Sequence, residues 1–171
     1  MKRLILVNGT MGAGKTATCK ELSKLLEHNV FLDGDWCWTM NPFVVTEETK
    51  RMVQDNIIYL LRNFLACSEY ENIIFCWVMQ YESIMDELLS GLIGLDFKPY
   101  KFTLTISEQA LTQRIQRDVE NHVRTFDVLE RSLQRLPLYK NMDTIKIDVS
   151  EITARQAAEQ IRVALCEGYN V

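Results

Sequence analysis

Apolar residues along the chain fall into short unbroken runs that alternate with longer stretches of helical spacing. Leu4 to Val7 is apolar on both faces, so residues 3–8 read as a buried strand; 30–32, 72–78, 100–106 and 144–149 repeat the pattern. Between these runs the apolar positions recur every three or four residues. Leu22, Leu25 and Leu26 mark a helix over 15–27, and Val53, Ile57, Leu60, Leu61 and Phe64 mark a longer one over 46–66. Further helices are expected over 81–93, 107–119, 127–136 and 152–166. Thr46 and Ser107 stand where N-caps belong, and Asp127 and Glu130 have capping-box spacing. Pro137 is expected to end its helix.

Strand and helix alternate from end to end. That predicts one α/β domain over 1–171, with five parallel strands and helices on both faces of the sheet, three layers in all. In such sheets ligands gather at the carboxyl ends of the strands. The residues just after each strand are therefore the candidates for chemistry.

After the first strand comes Gly9-Thr10-Met11-Gly12-Ala13-Gly14-Lys15-Thr16, which matches G-x-x-x-x-G-K-[ST] between a strand and a helix. Gly9, Met11, Gly12, Ala13 and Gly14 would turn backbone N–H groups toward phosphates, helped by the positive end of the helix. Lys15 would reach the β- and γ-phosphates of a nucleoside triphosphate, and the Thr16 hydroxyl would bind Mg²⁺.

Asp33-Gly34-Asp35 follows the second strand. One carboxylate can assist Mg²⁺ and the other can accept a proton from an attacking hydroxyl; the plain alternative is a solvated turn. The third strand ends in Cys76-Trp77-Val78-Met79-Gln80, without the Asp of a Walker-B strand, so a metal would rest on Thr16 and the acidic pair. Asn-Lys-x-Asp is also missing, which disfavours a switch GTPase. Trp36, Trp38, Phe43, Trp77 and Tyr81 can wall a flat or sugar-like acceptor, or simply pack in the core, and Gln80 can hydrogen-bond a substrate. Arg114, Arg117, Arg124, Arg131 and Arg135 crowd into a stretch with no Lys. They read either as a phosphate-covering lid over about 107–136 or as a salt-bridged surface.

Composition narrows the partners. The net charge of −4 argues against broad nucleic-acid binding. Five cysteines without CxxC spacing point to a reduced, cytoplasmic chain with no thiolate metal site. No apolar run is long enough to cross a membrane. Oligomeric state is open.

The loop at 9–16, the Asp-Gly-Asp at 33–35, the missing Walker-B Asp and the Arg-rich stretch together resemble the small P-loop kinases: the nucleoside-monophosphate, shikimate, gluconate and chloramphenicol kinases. The segment from Asp33 to Phe43 is also similar to uncharacterised bacterial nucleotide kinases. The resemblance implies the P-loop NTPase fold, ATP and Mg²⁺ as cofactors, and a small-molecule acceptor. It would put Asp33 beside the metal with Thr16, and Asp35 beside the acceptor as base, with Lys15, Arg114 and Arg117 on the transferring phosphate. It would seat adenine near Arg114 and Ser150. Trp36, Gln80 and Arg124 would contact the acceptor. Where shikimate kinases carry a Gly-rich substrate loop after strand three, this chain has Trp77-Val78-Met79-Gln80, so the acceptor stays unassigned. A nucleotide-binding sensor with little chemistry is the other reading. It would need no acidic pair but would expose an apolar partner surface.

Overall fold

The structure, a computed structural model, describes residues 1–167 apart from Arg124 and Phe126. Five strands form one sheet: β1 (Lys2–Asn8), β2 (Asn29–Asp33), β3 (Asn72–Cys76), β4 (Phe97–Thr105) and β5 (Ile145–Asp148). Their order is β2-β3-β1-β4-β5, and every pairing is parallel. The connecting helices are α1 (Lys15–Leu25), α2 (Glu47–Ala66), α3 (Glu82–Ser90), α4 (Glu108–Glu120), α5 (Asp127–Lys140) and α6 (Ala154–Cys166). A short 3₁₀ helix, Gly34–Trp38, follows β2.

Alternation along the strands divides the core in two. Ile5, Val7, Ile74 and Cys76 point toward α1, α4 and α6, where they meet Leu22, Leu111, Ile115 and Ile161. Leu4, Leu6, Ile73 and Phe75 point the other way, onto Val53, Ile57 and Leu61 of α2 and Met85 of α3. These side chains are fully buried, and each contributes roughly 1.5–3 kcal/mol by leaving water. Helix α5 joins both halves, with Val128 of its first turn in one cluster and Tyr139 of its last in the other. It therefore passes over the carboxyl edge of the sheet, above the phosphate loop.

Some boundaries and one cap differ from the sequence pattern. Helix α5 runs through Pro137 to Lys140 rather than stopping there. A proline removes one intrahelical hydrogen bond, and here burial of Tyr139, 2% exposed, holds the last turn in place. Strand β4 begins at Phe97, three residues early, and takes in Pro99 opposite Leu4. Its pairing with β5 starts only at Phe102, so Pro99 has a neighbouring strand on one side alone, where proline is tolerated. The expected capping box at Asp127 does not form. Asp127 is the first helical residue, and its carboxylate accepts from Thr125 Oγ1 and from Arg131, the latter at 2.7 Å. The Ser107 and Thr46 caps do form, Ser107 Oγ accepting from Ala110 N and Thr46 Oγ1 from Thr49 N.

Candidate active site

Everything needed to hold phosphates converges just beyond β1. Gly9, Gly12 and Gly14 have φ of 146°, 86° and 93°, and Gly14 is the left-handed N-cap of α1. At Gly12 the backbone also approaches α4 so closely that a Cβ would lie 2.9 Å from Ile115 Cγ1. Only glycine satisfies both demands. With no side-chain cap on α1, the N–H groups of its first turn are left for a ligand.

Lys15 is 9% exposed and folds back over the loop, its Nζ donating to Gly9 O at 2.9 Å and Thr10 O at 3.1 Å. Those bonds keep the ammonium above the loop, where the outer phosphates of a bound nucleotide would lie. Thr10 Oγ1 donates to Ser132 O at 2.9 Å, tying the loop to the buried face of α5.

Beneath the loop, Asn8 is fully buried and joins three elements. Its Nδ2 donates to Met79 O, and its Oδ1 accepts from Thr103 Oγ1 at 2.6 Å. Cys76 and Cys19 are buried in the same region. The Cys76 thiol is held far above its ordinary pKa, first by its hydrogen bond with Cys19 and then by burial, so Cys76 stays a thiol.

The acidic pair separates. Asp33 is 4% exposed; its Oδ2 accepts the Thr16 hydroxyl at 2.5 Å, and its Oδ1 accepts Asp35 N at 3.0 Å, capping the 3₁₀ helix. Thr16 spends its proton on Asp33, which leaves its oxygen lone pairs for a cation. Two hard oxygen donors in contact at the foot of a phosphate loop fit Mg²⁺, which takes one or two protein oxygens and completes its shell with phosphates and water. Among the described residues no group of three His, Cys, Asp or Glu could hold a metal without such help. Asp35 is exposed one residue beyond Gly34. Gly34 is required by packing, since a Cβ there would lie 2.6 Å from Trp77 Cγ. That contact joins the segments that follow β2 and β3.

On the other side of the loop, Arg114 of α4 donates to Ala13 O at 3.2 Å and to Val149 O after β5. Burial lowers its pKa, with Arg117 nearby adding to the effect. Arg114 and Arg117 line a cavity of about 210 Å³ with Gly12 and Gly14. Arg114 also walls a second cavity, of about 250 Å³, with Ala13, Ala17, Val149, Ile152 and Ala157. Small side chains leave that space open beside the phosphate loop. Ser150 does not line it: its hydroxyl donates to Asp148 Oδ1 at 2.6 Å and accepts Ser107 N at 2.9 Å.

The expected aromatic wall is divided. Trp36 is half exposed and sits edge-on against Phe31, ring centroids 5.3 Å apart. Trp38 pairs instead with Phe43 at 5.9 Å. Gln80 lines a different cavity, of about 260 Å³, with Leu138 and Met142. Arg131 is paired with Asp127 on the surface of its own helix. Arg124 lies outside the described residues. Sequence reasoning missed Asn8 and the Thr10–Ser132 link, because a buried Asn after a strand and a loop Thr carry no spacing signal. It also left Trp38 as one aromatic among several.

A family model described as an AAA domain matches residues 5–135. No curated protein matches the sequence. Among solved structures, a sugar kinase from Janibacter sp. HTCC2649 is similar with a TM-score of 0.70 at 17% identity, covering 98% of this chain and 96% of that one. The tunicamycin resistance protein of Deinococcus radiodurans is similar with a TM-score of 0.65 at 22% identity, covering 99% and 98%. The shikimate kinase of Aquifex aeolicus VF5 is similar with a TM-score of 0.62 at 16% identity, covering 96% of each chain. At these identities the likeness is one of fold: the five-stranded P-loop architecture of small kinases. With residues 5–135, the greater part of its length, matched by that model, the chain belongs to the AAA domain family.

Proposed function

We propose that the protein transfers the γ-phosphoryl group of ATP to a small-molecule acceptor, with Thr16 and Asp33 as the residues that would hold the Mg²⁺. The observation that carries this reading is the Thr16–Asp33 hydrogen bond of 2.5 Å at the head of α1. It puts a buried carboxylate beside the phosphate loop even though β3 ends without an acid.

The loop N–H groups and Lys15 hold the β- and γ-phosphates, and Arg114 and Arg117 approach from α4. Bound, the metal neutralises charge on the phosphates. Phosphoryl transfer asks mostly for positioning and charge stabilisation, which these groups supply without moving far. Asp35, exposed at the carboxyl end of β2, orients the acceptor hydroxyl and takes its proton. The cavity between Arg114, Ala17 and Ile152 receives the base of the nucleotide.

The sensor reading has one observation in its favour: Phe43, Val44 and Val45 are exposed in a row. Asp35, exposed one residue beyond Gly34, weighs against it, since a sensor has no use for an acceptor base. The test is ADP release from MgATP across a panel of hydroxyl acceptors, repeated with Asp35→Asn. The proposal expects acceptor-dependent release that falls by about 10²- to 10⁴-fold in the variant, with nucleotide affinity kept. Release that no acceptor stimulates leaves the sensor reading in its place.

A further inference from the structure

We infer that the acceptor is a neutral or cationic alcohol with a ring or other apolar body, and not a phosphate or carboxylate compound. This rests on the phosphotransferase reading and concerns the other half of the same site.

In a 3₁₀ helix the side chains at i and i+3 eclipse. Asp35 and Trp38 therefore share one face of the helix Gly34–Trp38, while Trp36 turns away onto Phe31. Trp38 continues into Phe43 at 5.9 Å, and Phe43 is 67% exposed, followed by exposed Val44 and Val45. A carboxylate and an aromatic pair thus form one surface at the mouth of the site. Exposed apolar side chains in a row keep their cost in water unless something apolar covers them.

The charge of this surface is one-sided. From Gly34 to Thr49 the acids are Asp35, Glu47 and Glu48, and there is no Lys or Arg. The segment after β3, in contact through Trp77 and Gly34, has Glu82, Asp86 and Glu87 up to Ser90 and again no base. Lys50 and Arg51, the first bases beyond, both act on Glu47, Lys50 pairing with it at 2.8 Å. The N-terminus of α2 is closed by its own Thr46–Thr49 box, so it offers less to an anion than an uncapped helix would. Asp86 is partly offset by Lys101 at 4.0 Å, but between Gly34 and Thr49 an anionic acceptor would meet acids alone; an uncharged or cationic ring compound would cover the aromatic pair.

The step balances with ATP as donor. The acceptor oxygen forms a bond to the γ-phosphorus, the bond from that phosphorus to the β–γ bridging oxygen breaks, ADP leaves with that electron pair, and the hydroxyl proton passes to Asp35 and on to water.

Acceptors that share a ring body and differ in the charged group they carry give the test: phenyl β-glucoside against phenyl β-glucuronide, and a hexosamine against the corresponding hexuronic acid, each assayed for ADP release from MgATP by the protein. The neutral or cationic member of a pair is expected to be turned over with a kcat/KM at least about tenfold higher. Phe43→Ala is expected to raise KM for that acceptor by about tenfold or more while kcat changes little, because the ring binds ground state and transition state alike. Preference for the anionic members overturns the acceptor class and leaves the kinase reading standing. Turnover of none, with MgATP still bound by calorimetry, overturns both. An unchanged KM in Phe43→Ala takes the aromatic face out of acceptor binding and overturns the inference.

Discussion

Asp33 shows how one side chain can hold a site together without touching substrate. Its two oxygens are shared between Thr16 Oγ1 and Asp35 N, so the proposed metal side and the proposed acceptor side are built on one carboxylate. Asp33→Asn keeps the shape but removes the negative charge from the cation's surroundings. The Mg²⁺ concentration for half-maximal ADP release should rise, by about tenfold, with smaller change at saturating Mg²⁺. A metal titration of the purified variant reads this directly, and an unshifted curve would take Asp33 out of the metal site. Residue identity at the loop is readable from sequence because the glycines and Lys15 stand at fixed spacings that phosphate geometry imposes. The roles of Trp36 and Ser150 are not. Which face of a five-residue 3₁₀ helix a side chain takes, and whether a hydroxyl is used up by its own turn, depend on packing that no spacing records.

At the scale of elements, α4 and α5 decide how the site closes. Both are anchored, α4 by Leu111 and Ile115 and α5 by Val128, Ser132 and Tyr139, so neither is a free flap. Arg117 on α4 and Asp127, Glu130 and Arg131 at the start of α5 are among the residues left exposed. Hydrogen exchange should show slowed amides over Arg117–Val123 and Asp127–Arg131 when an ATP analogue and Mg²⁺ are added, with little change in the β1 and β3 amides. Equal exchange in both states would make the arginines ordinary surface groups. The turn after β5 responds to acid in a set direction. The Ser150 hydroxyl, and then its backbone N–H, hold Asp148 below the ordinary aspartate value of 3.8. A lowered folded pKa contributes stability above that value, and the contribution is lost as pH falls through the folded pKa. Amides around Ser107 and Ser150 should therefore loosen selectively below about pH 4, which exchange at pH 3 against pH 6, corrected for the intrinsic rate, would show. Element existence is legible in the periodicity, while the ends of α5 and β4 are not. Pro137 and Pro99 are stop signals locally, and burial of Tyr139 and a missing neighbour strand override them.

The whole molecule places its chemistry on one edge. Strand order β2-β3-β1-β4-β5 sets β1 in the centre, so its carboxyl end is flanked by β3 on one side and β4 on the other, between the segment proposed for the acceptor and the cavity proposed for the nucleotide base. Alternation of strand and helix along the sequence is enough to make the parallel, two-sided sheet legible. The order of the strands, and hence which segments meet, is not contained in that pattern; it lies in the pairings of β1 with β3 and β4, of β2 with β3 and of β4 with β5. Among the described residues no helix is long and apolar enough to cross a membrane. The central claim is that the loop at residues 9–16 binds a nucleoside triphosphate with Mg²⁺, and calorimetric titration of MgATP into the wild type and Lys15→Ala tests it most directly. Loss of a charge-assisted contact to phosphate should cost about 2–3 kcal/mol, a rise in Kd of roughly 30- to 150-fold, while the variant still unfolds in one cooperative transition. Equal affinity in the two proteins, or no binding by the wild type, would contradict it.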